Sequence, residues 1–317
     1  MTDLVETSPF HWGEIMLQRR IGSAERIGAI GSKVVRSFMP DQHRDFFAQL
    51  PFVLVGAVDQ AGDAWASLAA GKPGFMTSPD PTSLEIRAAR DAEDPADGGL
   101  EDGDSVGLLG IELHTRRRNR LNGRLRRAND SGFVLEVEHS FGNCPKYIQL
   151  RDFESVSPGT RPPPVWLQGL DARARQMIAS ADTFFVASYA DREDGHRQVD
   201  VSHRGGKPGF VRIDENDRLT IPDFLGNHYF NTLGNIVANG KAGLLFPDFD
   251  TGDLLQLTGD ARVELDANAE ATFQGSEHIW TFTPRRMVYR AKAAGLRWHA
   301  RADGQSPFNA TTGVWNA

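Results

Sequence analysis

The sequence predicts a mainly β protein with a minor helical part, built from two copies of one small, partly open β-barrel domain behind N-terminal helices. Two observations predict this class. Segments recur in the same order at a nearly constant distance, and the 317 residues include 17 prolines and 32 glycines, which are typical of many turns. The repeat is longer than the ~20–50 residues of solenoid repeats. We therefore expect two copies of a whole domain, with any site inside one copy or between the two.

The repeat rests on four matched segments with the same order and almost the same spacing. In the first copy they are Gly71–Phe75, Leu84 with Ile86, Gly107–Leu109, and Leu121 with Gly123; in the second they are Gly206–Phe210, Leu219 with Ile221, Gly243–Leu245, and Leu257 with Gly259. Such agreement is hard to obtain by chance, so the two halves should share one fold.

Four segments follow from this repeat. We expect an N-terminal helical segment over residues 1–40, a first barrel over 41–156, a proline-rich linker over 157–166 and a second barrel over 167–317. Each copy is predicted to begin with a helix, at Asp41–Leu50 and Asp171–Ala181, which is followed by a β-hairpin. Consecutive prolines favour a stiff, extended linker.

Composition excludes several classes. A formal net charge of −7 argues against bulk nucleic-acid binding. No apolar run approaches the ~20 residues of a membrane span, and Met1–Trp12 lacks a secretory-signal pattern. The single cysteine, Cys144, excludes an internal disulfide and fits a reducing, cytoplasmic location.

Charge is nevertheless unevenly distributed. Seven acidic residues lie within Asp91–Asp104, and seven arginines follow within Arg116–Arg127. The plainer interpretation is an acidic loop beside the solvent face of an arginine-rich strand. The alternative is an anion site, with some arginines directed towards a ligand of the other domain.

Two segments of the second copy could hold a phosphate group. Asp200–Gly206 is predicted to run from a strand into a glycine turn that presents a hydroxyl, an imidazole and a guanidinium. Gly226–Ile236 places Asn227, Asn231 and Thr232 at a helix start, where free N–H groups attract anions. An ordinary hairpin and ordinary helix capping are the alternatives. The first copy has Ala66–Ala70 in place of the polar segment, so we expect the site in the second copy.

The second copy resembles the FMN-binding split-barrel family that includes pyridoxamine phosphate oxidase. Arg197–Ser202 is similar to the family's flavin strand, Leu244–Pro247 followed by Gly259 is similar to its next strand pair, and Asn231 with Thr232 falls where a basic pair usually binds the flavin phosphate. The resemblance covers about residues 170–300 and extends, degraded, to 41–155. It implies tandem split β-barrels of the FMN-binding type, with FMN in the second copy only.

The same resemblance implies a set of cofactor-binding residues. They are Arg197, Gln198, Val199, Asp200, Val201, Ser202, His203, Arg204, Asn227, Asn231, Thr232 and Leu254. Because the basic pair is absent, we expect His203 and Arg204 to supply the positive charge. Phe210, Phe230, Phe246 and Trp280 either line the flavin pocket or pack in the core, the commoner role of buried aromatic residues. Arg297 and His299, followed by Arg301, faintly resemble the family's substrate-binding pair.

The predicted function is that of an FMN-dependent oxidoreductase acting on a small molecule with a separate electron donor or acceptor. Catalytic residues stay unassigned, and the histidines show no metal-ligand spacing. We expect a homodimer or an intrachain pseudo-dimer of the two barrels. The alternatives are a haem- or deazaflavin-binding protein without catalysis, and an accessory protein of a separate reductase.

Overall fold

The computed structural model describes residues 8–156 and 159–315. Ser157 and Pro158 of the expected linker, residues 1–7 of the expected helical segment and residues 316–317 lie outside the described ranges. Three helices precede the first sheet: α1 (Trp12–Arg20), α2 (Ala24–Val34) and α3 (Asp41–Gln49). Pro40 precedes α3, where its fixed φ and missing N–H suit a helix start.

The first copy forms one seven-stranded antiparallel sheet. Its strands are β1 (Phe52–Val58), β2 (Ala64–Ala70), β3 (Met76–Thr77), β4 (Ser83–Ile86), β5 (Ser105–Glu112), β6 (Arg117–Asn129) and β7 (Gly132–Gly142), in the spatial order β2-β1-β5-β6-β7-β4-β3. A 3₁₀ helix, Pro95–Gly99, connects β4 to β5. Strand β8 (Arg151–Ser155) lies outside this sheet and pairs with the last strand of the chain, Leu296–Ala300.

The second copy repeats this arrangement. It comprises β9 (Val165–Leu167), α4 (Ala172–Ser180), β10 (Thr183–Asp191), β11 (Arg197–Gly205), β12 (Arg212–Ile213), β13 (Leu219–Phe224), α5 (Asn231–Asn239), β14 (Lys241–Pro247), β15 (Leu254–Val263), α6 (Ala269–Thr272), β16 (Ser276–Arg290) and β17 (Leu296–Ala300), with a second 3₁₀ helix at Pro307–Thr311. Strand β9 pairs with β16, so Val165 and Trp166 of the expected linker belong to the second sheet.

The two sheets have the same topology. The second runs β11-β10-β14-β15-β16-β13-β12, which is the order of the first, strand for strand. Even the irregularities recur, because the β6–β7 register shifts at Gly123 and the β15–β16 register shifts at Gly259. A Cβ at either glycine would clash with a carbonyl oxygen of the paired strand. The predicted mainly β fold of two tandem split barrels with N-terminal helices is confirmed.

The two barrels pack closely against each other through glycines at equivalent positions. A Cβ on Gly107 of β5 would overlap the backbone of β11 at Asp200, and one on Gly243 of β14 would overlap the backbone of β2 at Ala64. In each copy, a glycine on the strand that pairs with the barrel's first strand thus packs against the first β-hairpin of the other copy. This reciprocal packing brings β6, which pairs with β5, and β15, which pairs with β14, close to the opposite barrel.

Each barrel has its own apolar core. In the first, Phe46 and Phe47 of α3 pack with Leu108 and Leu121 of the sheet. In the second, Phe184, Phe246 and Trp280 are fully buried. A third cluster, which includes Leu109 and Leu245, lies between the two copies. Among the described residues, the helices are too short or too polar to cross a bilayer.

A candidate anion site between the two barrels

A polar cavity of about 80 Å³ lies where the first barrel meets β11 and α5 of the second. Its lining combines residues from both copies. From the first copy come Arg118, Arg120, Asn143 and Cys144; from the second come Ser202, His203, Arg204, Asp223, Phe224, Gly226, Asn227, His228, Phe230, Asn231, Thr232, Leu233 and Glu277. The site is therefore shared between the copies rather than contained in the second.

Arg120 of β6 joins the two predicted phosphate-binding segments. Its guanidinium donates to Ser202 Oγ at 2.6 Å and to Asn231 Oδ1 at 2.7 Å, and it pairs with Asp200 at 2.9 Å. Thr232 Oγ1 lies 2.9 Å from Ser202 Oγ. Ser202 and the start of α5 thus converge on one point, and their hydroxyls mainly hold the two segments together.

The glycine turn expected directly after Ser202 begins later in the chain, after Gly205, so its predicted position is wrong. Strand β11 continues to Gly205, and its pairing with β10 runs without a break from Arg197 opposite Asp191 to Gly205 opposite Thr183. The ladder with β10 satisfies the backbone groups that a turn would have exposed. Ser202, His203 and Arg204 are therefore held on a rigid strand.

The N-terminus of α5 faces the cavity without a side-chain cap. The first helical bond runs from Gly234 N to Phe230 O, which leaves the N–H groups of residues 231–233 outside the helical pattern. Phe230 occupies the capping position with φ of 60° and cannot accept a hydrogen bond through its side chain. A left-handed, bulky residue at this point is a conformational outlier, and such outliers cluster at ligand sites. The helix end suits an anion.

Arg118 provides the unneutralised positive charge. Its Nε donates to the carbonyl oxygen of Cys144 at 2.6 Å, and it forms no ion pair with any described residue. Burial, and then the charge of Arg120, lower the pKa of Arg118 to about 9, so the guanidinium stays protonated at neutral pH. Half-buried and unpaired, it is the cation that a ligand anion can neutralise.

The remaining charges of the cavity are paired. Arg204 lies 2.8 Å from Asp223, and His228 lies 3.0 Å from Glu277. Arg120 is balanced by Asp200, which is outside the cavity lining. The predicted role of Arg204 as a free cation is thus weakened by Asp223, and the surplus charge rests on Arg118.

His203 is a neutral donor or acceptor rather than a cation, which corrects our expectation. Burial, followed by the charges of Arg118 and Arg204, holds the pKa of His203 well below its usual value. Its buried Nε2 has no partner among the described residues, and the same is true of Asn143 Nδ2. Both residues line the cavity, so these two atoms are available to a polar ligand.

The N-terminal helix α1 braces α5 from behind. Glu14 accepts from Asn231 Nδ2 at 2.5 Å and from the backbone N–H of His11 at 2.8 Å. Burial raises the pKa of Glu14, an effect that His11 partly opposes. The two helices cross at Gly13 and Gly234, where a Cβ on either residue would overlap the other helix. This contact sets the position of the α5 N-terminus.

Several predicted site residues lie elsewhere. Arg197 pairs with Asp191 on the protein surface, and Gln198 donates to His139. Val199 and Val201 pack in apolar clusters between the copies. Leu254 is fully buried in one of these clusters, away from the cavity lining. Asn227 lines the cavity, and its Oδ1 accepts from the N–H of Tyr229.

The predicted aromatic wall is mostly core. Phe210, Phe246 and Trp280 belong to the core of the second barrel, and only Phe230 lines the cavity. Arg297 and His299 lie on β17, which pairs with β8, and neither lines the cavity.

The sequence pattern includes Arg118 and Arg120 only as members of the run Arg116–Arg127, for which an anion site facing a ligand of the other domain was the alternative interpretation. Which of these arginines reach the site depends on how the two barrels pack. One signal was present: both lie on a strand in which Asn119, Arg120, Leu121 and Asn122 are all buried. Arginine at a buried strand position requires a partner, and for Arg120 that partner comes from the other copy.

The cavity fits the phosphate end of FMN but not the whole molecule. An unpaired arginine, a free helix N-terminus and the buried Asn143 amide are the donors that a phosphate group requires. The volume of about 80 Å³ is well below the ~300–1,000 Å³ of typical small-molecule pockets. The described cavity therefore has donors for a phosphate group but no room for the flavin ring.

A scan against protein-family models and a search of curated proteins gave no match. Among solved structures, the chain is similar to Group A Streptococcus HupZ (12% identity, TM-score 0.29, covering 43% of this chain and 97% of that one). It is also similar to a Clostridium acetobutylicum protein of the pyridoxinephosphate oxidase family (12% identity, TM-score 0.26, 40% and 92%). Both matches have a low TM-score and cover less than half of this chain.

Proposed function

We propose that this protein binds FMN, with the phosphate group held in the cavity between the two barrels. The observation that carries the proposal is the unpaired guanidinium of Arg118 beside the uncapped N-terminus of α5. A phosphate monoester needs several donors and a surplus of positive charge. The described residues provide both at one point, and each barrel contributes part of them.

The proposed roles follow from the free donors. Arg118 would neutralise the phosphate, the N–H groups at the start of α5 would donate to its oxygens, and Asn143 Nδ2 would add a donor from the first barrel. Ser202, Thr232 and Arg120 would keep these groups in place through their mutual hydrogen bonds. Because one chain contains both barrels, this site needs no second chain.

Bound FMN supplies electron-transfer chemistry, and we propose that the chain is an oxidoreductase acting on a small molecule with a separate electron donor or acceptor. The residues of the chain bind and orient the cofactor. We assign no proton-transfer residue, since His203 is buried and neutral.

Flavin titration of the purified chain tests this proposal. Arg118→Ala should weaken FMN binding by about 10- to 100-fold, the effect of one charge-assisted contact. The matched control is Arg126→Ala on the same strand, because Arg126 is exposed and pairs with Glu136. Unchanged FMN affinity in folded Arg118→Ala, or no binding by the unmodified chain, would contradict the proposed site.

The cavity volume favours a second candidate, a compact phosphate ester or free oxyanion bound without redox chemistry. A cavity of about 80 Å³ matches such a group without any rearrangement. An absorption spectrum of the purified protein separates the candidates. Flavin bands that persist through gel filtration support FMN, whereas a colourless protein that is stabilised by inorganic phosphate supports the compact ligand.

A further inference from the structure

The internal duplication implies a second position equivalent to the candidate site. Ser202 corresponds to Ser67, because each lies opposite the barrel's first strand, at Val186 and Val55. Arg120 lies opposite Leu109, and Gln256 lies opposite Leu245 of the repeated segment. Residues Ser67 and Gln256 therefore define the equivalent place, which again lies between the two barrels.

The two positions contain the same pair of groups, an arginine and an amide, but the strands that carry them are exchanged. The candidate site has Arg120 on β6 and Asn143 just after β7, whereas the equivalent place has Gln256 on β15 and Arg290 at the end of β16. Arg290 is 4% exposed, and its guanidinium donates to Gln256 Oε1 at 3.1 Å. A buried cation, an amide and a serine hydroxyl are thus present at both positions.

The acidic loop occupies the second position. The segment from β4 to β5 replaces the segment that carries α5, and it directs Asp94 at the buried donors. The Asp94 carboxylate lies 2.9 Å from Arg290, accepts from Gln256 Nε2 at 3.0 Å and accepts from the hydroxyl of Ser67. Its own loop adds the N–H of Ala96 at 3.0 Å.

We propose that the Asp94 carboxylate is the built-in occupant of a second oxyanion site, and that its removal opens this site to a small oxyanion such as formate or inorganic phosphate. A carboxylate surrounded by an arginine, an amide, a hydroxyl and a backbone N–H has the environment of a bound anion. Truncation of Asp94 removes the acceptor on which these donors converge, while Arg290 keeps its ion pair with Asp91 and Gln256 Nε2 keeps its hydrogen bond to the carbonyl oxygen of Ala66. The proposal rests on these contacts and does not depend on flavin binding.

Formate rescue of Asp94→Ala tests the proposal, because formate restores the missing carboxylate. The midpoint of thermal unfolding is measured in sodium formate and in sodium chloride of equal ionic strength. Formate should raise the midpoint of Asp94→Ala by about 2–4 °C over chloride, the scale of one charge-assisted contact in a chain of this size. It should not do so for the unmodified protein, in which Asp94 fills the site.

Two matched variants sharpen the test. Asp97→Ala removes another arginine partner from the same loop, but among the described residues only Arg90 donates to the Asp97 carboxylate, so no set of converging donors is left and formate should have no specific effect. Asp94→Asn keeps the volume of the side chain and should leave no room for formate. An equal formate effect in all four proteins, or none in folded Asp94→Ala, overturns the proposal.

Inorganic phosphate is the second probe, and it should also stabilise Asp94→Ala if the opened site has room for a tetrahedral ion. Stabilisation by formate alone limits the site to planar anions and still supports it. If Asp94→Ala is insoluble in chloride, recovery of folded protein by refolding in formate supports the proposal. Failure to recover it in either salt counts against the proposal.

Discussion

Arg120 and Ser202 belong to different halves of a duplicated chain, and their side chains are joined by a hydrogen bond of 2.6 Å. The same arginine pairs with Asp200, and the side chains of both are at most 5% exposed. One residue of the first barrel thus holds β11 and, through Asn231, the start of α5 of the second. The packing of the two barrels and the candidate site depend on the same contacts.

Replacement of Arg120 should be strongly destabilising. Arg120→Ala leaves the buried Asp200 carboxylate without its cation, which typically costs about 3–5 kcal/mol. Urea unfolding measures the change in the free energy of unfolding. Adding Asp200→Asn to Arg120→Ala should recover part of the loss, because the uncompensated charge is then removed. No recovery in the double variant would show that lost packing, and not the buried charge, causes the effect.

Much of the fold could be predicted from the sequence because the duplication is visible as short matching segments, several of which contain glycine. Gly107 and Gly243, and Gly123 and Gly259, recur where backbone approach or a bulge excludes a side chain. The site was harder to predict. Asn231 and Thr232 were found through helix-start chemistry, but Arg118 and Arg120 reach the site only through the packing of the barrels. Leu254 does not reach the cavity because β15 buries it in the apolar cluster between the two copies.

The crossing of α1 and α5 should tolerate no side chain. Gly234→Ala places a Cβ against the Glu14 backbone, so α1 must move away, at a cost of about 1–3 kcal/mol. We expect lower affinity for any ligand held at the α5 N-terminus as well. The matched control is Gly28→Ala in the interior of α2, where a Cβ meets no atom within 4 Å. That variant should gain up to about 1 kcal/mol. Thermal unfolding of both variants gives the comparison.

His139 should make stability fall in mild acid. Burial, with Arg192 and His196, lowers its pKa from 6.5 to about 4, so between these values only the unfolded chain binds this proton. The contribution of His139 is fully present above pH 6.5 and is lost as the pH falls towards 4, with a slope of at most about 1.4 kcal/mol per pH unit. His139→Gln should reduce this slope by one proton in urea titrations at several pH values. An unchanged slope would mean that His139 is already protonated in the folded chain.

A comparison of FMN with riboflavin shows whether a phosphate group binds between the two barrels. The two ligands share the flavin ring and differ in the phosphate. Fluorescence titration of the purified chain should give an FMN affinity about 10- to 100-fold higher than that for riboflavin, and Arg118→Ala should remove most of this difference. Equal affinities for the two flavins, or a preference for FMN that survives Arg118→Ala, would contradict the account.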